Sequence, residues 1–110
     1  MPHVKTLWIK DEYLQQILSG RKTVEVRVAY SNVARLEPGD RLLLNGQYPY
    51  LITAIRRYPD FEALVAAEDV AAIAPDLPGR EALLVACRTI YPPDKEALGV
   101  AALQLVAHEE

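Results

Sequence analysis

The chain has 110 residues, of which 51 % are hydrophobic and 25 % charged, with a formal net charge of −3. That is the profile of one ordinary globular domain over residues 1–110, and a chain of this size buries roughly two-thirds of its extended surface without staples. No apolar run reaches the ~20 residues a membrane helix needs, residues 1–10 lack the apolar stretch of a secretion signal, and Cys87 is alone, with His3 and His108 near opposite ends of the chain. A cytoplasmic protein with no membrane, metal or cofactor is therefore expected, and Cys87 is expected to be a buried structural thiol. The charge is uneven: residues 1–57 carry nine Lys/Arg against five Asp/Glu, a balance of +4, whereas residues 58–110 carry three against ten, a balance of −7. Such halves form a basic cleft beside an acidic flank, or intermix in space.

His3 to Ile9 reads as a strand with Val4, Thr6 and Trp8 on one face. Asp11 is placed to cap a short helix whose apolar stripe is Leu14, Ile17 and Leu18, with Gly20 as the terminating residue. Thr23 to Val28 alternates: Val24, Val26 and Val28 face one way and Thr23, Glu25 and Arg27 the other, the pattern of a half-buried strand. Tyr30 to Leu36 reads as a loop, and Pro38-Gly39-Asp40 as a tight turn into a strand from Arg41 to Asn45. Asn45-Gly46 signals a hairpin whose return strand runs from Tyr50 to Arg57. Asp60 caps a helix through Ala67 with Phe61, Leu64 and Val65 inward, and Asp69 to Ile73 adds a helical turn. From Arg80 to Tyr91 the residues Leu83, Leu84, Cys87, Ile90 and Tyr91 follow a helical stripe that Pro92-Pro93 ends. Gly99 to Val106 closes the chain as an apolar strand. The order predicts an α+β fold: a small barrel or curled sheet with helices packed on one side.

The stretch Ser19 to Arg27 carries the most chemistry. Glu25 and Arg27, two apart on a strand, project from the same side roughly 7 Å from each other. Arginine offers a planar donor fork to phosphate, carboxylate or a base edge, and glutamate accepts from an amine or a ribose hydroxyl. Strict alternation puts Lys22 on the opposite face, with the valines, so it joins the pair only if the backbone turns between Gly20 and Thr23.

The pattern G-x-K-x-x-E-x-R, present as Gly20, Lys22, Glu25 and Arg27, resembles the signature of the ASCH-domain family within the PUA-like superfamily of small β-barrels. Residues 36–41, residues 54–64, Ile90 to Glu96 and Gly99 to Leu103 resemble further family segments in the expected order. The resemblance implies a PUA-like barrel with a cleft for RNA or a nucleotide-like small molecule. Lys22, Glu25 and Arg27 would line that cleft, Gly20 would shape the approach, and Arg21 is a further ligand-binding candidate. One branch of the family resembles amidohydrolases that deacetylate N4-acetylcytidine, and on that reading Lys22 is the catalytic base or nucleophile. Glu25 then stands where those enzymes carry a threonine, and Glu68 or Asp69 is the candidate downstream acid. Glu25 beside Lys22 would stabilise the ammonium and oppose nucleophilic use, which favours binding over catalysis. Tyr30, Tyr48 and Tyr50 are candidate base-stacking residues or caps on the barrel core, Tyr91 is expected to pack inward, and Lys95 is a candidate to reach the cleft.

Overall fold

A computed structural model describes residues 4–108. Five strands form one sheet in the order β1-β3-β4-β5-β2: β1 (Val4–Leu7), β2 (Val24–Val28), β3 (Arg41–Leu44), β4 (Tyr48–Tyr58) and β5 (Val100–Ala107). Strand β1 runs parallel to β3, and every other pairing is antiparallel. Strand β4 is 11 residues long and pairs with β3 along its first part and with β5 nearly throughout, with an irregularity between Ile52 and Ala54. A bulge there adds twist, and the sheet curls into a half-barrel. The α+β class and barrel-like sheet expected from sequence are both present.

Among the described residues the helices are α1 (Asp11–Leu18), α2 (Ser31–Ala34), α3 (Phe61–Ala67), α4 (Val70–Ile73), α5 (Arg80–Ile90) and α6 (Pro93–Glu96). Alternation along β5 builds a core on each side of the sheet. Ala101, Leu103 and Leu105 join Leu14 and Ile17 of α1 and Val33 of α2, while Val100 and Ala102 join Phe61, Leu64, Ile73, Leu83 and Cys87 of α3 to α5.

Turn chemistry sets the connections. Pro38 and Gly39 (φ +97°) occupy the centre of a turn closed by Asp40 N–H donating to the Glu37 carbonyl at 3.0 Å. Asn45 (φ 51°) and Gly46 (φ 73°) occupy the centre of a turn closed by Gln47 N–H donating to the Leu44 carbonyl at 3.0 Å, inside a three-residue hairpin loop. Asp60 caps α3 by accepting from Ala63 N–H at 2.8 Å.

Several expectations are corrected. Lys10, not Asp11, is the N-cap of α1 and makes no side-chain cap bond; Asp11 is the first helical residue and accepts from Gln15 at 3.3 Å. Residues read as a loop after Tyr30 contain α2. The return strand starts at Tyr48 rather than Tyr50, because only Asn45, Gly46 and Gln47 separate it from Leu44, with which Tyr48 pairs. Ile90 is exposed, since the buried line of α5 is only Leu83 and Cys87. His3 lies outside the described residues. Val4, Thr6 and Trp8 do share a face, and it is the outward one, with Leu7 and Ile9 buried opposite.

Candidate functional site

Gly20 decides where Lys22 goes. With φ +84° it ends α1 in a Schellman motif: Gly20 N–H donates to the Ile17 carbonyl and Arg21 N–H to the Gln16 carbonyl, each at 3.0 Å. Lys22 N–H shares the Gln16 carbonyl, and Thr23 is tied to Ala72 and Leu105 before β2 begins. Lys22 therefore precedes the strand, and the parity that would oppose it to Glu25 and Arg27 does not apply.

The three side chains converge. Lys22 is 4 % exposed, and its Nζ donates to the carbonyls of Val24 and Ile73, both at 2.7 Å, with Glu25 Oε1 at 3.3 Å. Glu25, also buried, turns its other oxygen to Arg27, which approaches with Nε at 2.9 Å and Nη2 at 2.8 Å. Arg27 Nη2 also donates to the Trp8 carbonyl at 2.6 Å. Among the described residues Arg27 Nη1 has no hydrogen-bond partner, so two guanidinium donors face away from the network.

The Arg27–Trp8 bond also shows where the site lies in the barrel. Strands β1 and β2 are the two edges of the sheet, yet the residue just after β1 meets a side chain of β2. The sheet curls until its edges face each other, and α1 spans the seam. Asn45 secures the β1 side, with its amide oxygen accepting from Ile9 N–H at 2.7 Å and its amide nitrogen donating to the Ile9 carbonyl at 2.9 Å.

A cleft of about 650 Å³ opens along this seam, with Lys22, Glu25 and Arg27 in its wall. Alpha1, the segment after α4, and α5 complete it. Trp8 stands at this cleft 70 % exposed. Half-buried Tyr91 lines the same wall and stacks on Phe61 at 5.8 Å, and burial raises its hydroxyl pKa while Arg27 opposes the rise. Cys87 also lines it, with its thiol pushed up to about 11, chiefly by burial, so it remains a protonated thiol rather than a nucleophile. Gln16 lines the cleft as well, and its Oε1, shielded inside the protein, has no hydrogen-bond partner among the described residues. An unsatisfied buried acceptor costs about 1–3 kcal/mol.

A family model for the ASCH domain matches residues 7–108. The chain belongs to the ASCH-domain family. The ASCH domain seen here is similar in fold to the crystal structure of hypothetical protein PH0355, with TM-score 0.88 and 22 % identity over 96 % of this chain and 99 % of that one. It is also similar to the solution structure of protein PF0455 from Pyrococcus furiosus, with TM-score 0.79 and 24 % identity over 98 % of this chain and 99 % of that one. Among curated proteins the comparison finds no match.

The remaining candidate residues of this ASCH domain lie elsewhere. Gly20 and Arg21 are not in the cleft wall; Arg21 pairs with Asp76, which is, and which also accepts from Gln16 Nε2 at 3.0 Å. Tyr50 is buried with its hydroxyl 3.3 Å from the Ile17 carbonyl, and Tyr48 packs on the same core, so neither stands open to stack a base. Tyr30 packs against Tyr91 with Lys95 6.0 Å above its ring, outside the cleft wall. Glu68 and Asp69 line a separate hollow of about 390 Å³. There Glu68 takes both nitrogens of the Arg56 fork, at 2.6 and 2.7 Å, and the Tyr58 hydroxyl. The Arg56 bonds hold its carboxyl below the usual range against the opposing effect of burial. The charged halves of the chain thus intermix, as Arg21 and Arg56 pair with acids of the second half.

Sequence reasoning missed Trp8 and Gln16. Trp8 had a readable signal, because it sits in register opposite Leu7 and Ile9 and is therefore a large aromatic aimed outward. Gln16 had none; it is one of two adjacent glutamines on a helix. Among the described residues no cluster of three or more His, Cys, Asp and Glu is arranged to hold a metal ion, and no helix is long and apolar enough to cross a membrane.

Proposed function

We propose that this ASCH domain binds single-stranded RNA or a nucleotide in the seam cleft. Arg27 makes the direct polar contact, and Lys22 and Glu25 act as positioning residues. The carrying observation is the ionic chain itself: Lys22 anchors Glu25, Glu25 holds Arg27 from one side, and Arg27 keeps Nη1 unengaged beside an exposed tryptophan. A preorganised guanidinium nitrogen next to an aromatic face suits a phosphate oxygen or a base acceptor with stacking, the latter worth about 1–3 kcal/mol per base. The cleft volume lies within the range of small-ligand sites. Family membership supports the reading, since ASCH domains are generally thought to bind RNA.

Binding is favoured over amide hydrolysis by the surroundings of Lys22. Lys22 is 4 % exposed and its nitrogen is in contact with three protein oxygens, which leaves no open approach for an acyl carbon.

Trp8 is the chain's one tryptophan, so its fluorescence reports the cleft directly. Titration with short single-stranded RNA and with nucleoside monophosphates is expected to quench it, and Arg27→Ala to abolish the response. A wild-type protein that shows no change at millimolar nucleotide would overturn the proposal. Incubation with N4-acetylcytidine and mass detection of cytidine tests the alternative. Turnover lost in Lys22→Ala would replace binding with catalysis as the primary role.

A further inference from the structure

Strand β2 is an edge of the sheet, and its free side borders the seam cleft. Which main-chain groups point there follows from its bonds to β5. The Thr23 carbonyl accepts from Leu105 N–H, and Ala29 N–H donates to the Gly99 carbonyl, each at 2.9 Å. In the same register Glu25 and Arg27 stand opposite Leu103 and Ala101, so the odd-numbered residues of β2 bond β5. Val24, Val26 and Val28 aim their N–H and C=O groups the other way, off the edge.

The protein itself occupies both ends of that edge. Lys22 Nζ donates to the Val24 carbonyl at 2.7 Å, Tyr30 N–H donates to the Val28 carbonyl at 2.8 Å, and the Val28 N–H lies beside the Tyr91 hydroxyl. Val24 is 2 % exposed and Val28 fully buried, and neither lines the cleft. Val26 between them is half-buried and does line it, while its side chain packs on the core formed with α3 to α5. Among the described residues the outward N–H and C=O of Val26 have no hydrogen-bond partner. One open donor–acceptor pair is too short for an added strand, which would need the groups of Val24 and Val28 as well. The same wall carries the unengaged Nη1 of Arg27 and the exposed ring of Trp8.

Resting on the proposed nucleotide-binding role, we infer that the main chain of Val26 reads the pairing edge of a nucleobase. Val26 N–H donates to a ring nitrogen or carbonyl of the base, and Val26 C=O accepts from the amino or ring N–H beside it, as it would with a facing strand residue. A phosphate offers acceptors only, so it answers the N–H and Arg27 but leaves the carbonyl unpaired. The occupant is therefore an unpaired base, whose edge is not already engaged by a complementary strand, with Trp8 against its face.

Amide hydrogen exchange, followed residue by residue by NMR on the wild-type protein, tests this. In the free protein Val26 N–H is expected to exchange about tenfold faster or more than the amides of Glu25 and Arg27, which open only when β2 parts from β5. The common ribonucleoside 5′-monophosphates are ranked by Trp8 quenching, and saturation with the tightest should slow Val26 by about tenfold or more. Methylation that removes the N–H donor on that nucleotide's pairing edge, as in 3-methyluridine or N4,N4-dimethylcytidine, should weaken binding by about tenfold or more. Three results would each overturn the role of Val26 and leave the proposed function standing: a Val26 amide as slow as its neighbours in the free protein, a Val26 amide unchanged by a nucleotide that quenches Trp8, or equal binding of the methylated nucleotide. No binding of any nucleotide would overturn both.

Discussion

Exchanging Glu25 for glutamine should destabilise the protein more than removing the lysine it pairs with, because the two changes leave different charges behind. In Lys22→Met the buried ammonium is gone, the carbonyls of Val24 and Ile73 each lose a donor, and Glu25 keeps Arg27 as its partner. Two lost hydrogen bonds at about 1 kcal/mol each give a cost of roughly 2 kcal/mol. In Glu25→Gln the ammonium of Lys22 stays buried with only carbonyl dipoles around it, and Arg27 loses its counter-ion. Stranding a buried charge costs about 3–5 kcal/mol; the two retained carbonyl bonds place this case near the lower bound, at about 3 kcal/mol. The double variant removes the stranded ammonium as well. Its cost should fall short of the summed single costs by about 1–2 kcal/mol, the coupling expected for residues in one network. Urea unfolding followed by far-ultraviolet circular dichroism measures all four proteins, and unchanged slopes validate the comparison. Costs that add to within about 0.5 kcal/mol would refute a shared network. Lys22→Met proving costlier than Glu25→Gln would refute the charge argument even if coupling were found.

The acid limb of stability should belong to Glu68 and Glu96. Both are held below their ordinary value of 4.5, first by hydrogen bonds from Arg56 and Arg88 respectively. A depressed folded-state pKa means the unfolded chain takes up the proton first as pH falls. This stabilisation is therefore complete well above pH 4.5 and lost as pH drops through the carboxylate range. The urea midpoint should be flat near neutrality and fall below about pH 4.5, with a shallower fall in Glu68→Gln; identical slopes would refute the assignment. Gly20→Ala should cost about 1–2 kcal/mol from backbone conformation alone, since nothing lies within 4 Å of an added Cβ while φ is +84°. Gly79→Ala, at an extended φ with equal room, is expected to change the melting temperature little, and the pair is read by calorimetry. Cys87 should react slowly with a disulfide reagent at neutral pH and accelerate toward pH 11 or on unfolding; rapid reaction of the native protein at pH 7 would contradict its burial.

The amino-acid sequence by itself determined the local events. Alternating valines specified β2, Pro38-Gly39 and Asn45-Gly46 specified their turns, Asp60 its cap, and Gly20 the end of α1. These are set by φ preferences and hydrogen bonds within a few residues, so a linear reading finds them. The ionic residues Lys22, Glu25 and Arg27 were equally legible as a pattern, but whether they meet was not. Strand parity argues that Lys22 diverges, and only the Schellman turn, fixed by bonds to Gln16, Ala72 and Leu105, frees it from that parity. The tertiary structure alone decided the cleft. It exists because a curled sheet brings its first and last edges together, joining Trp8 to Arg27 across 19 residues. The same closure buried Tyr50 and drew Glu68 to Arg56 in a different hollow. Such pairings depend on sheet curvature, a property of all five strands at once, and no short segment encodes it.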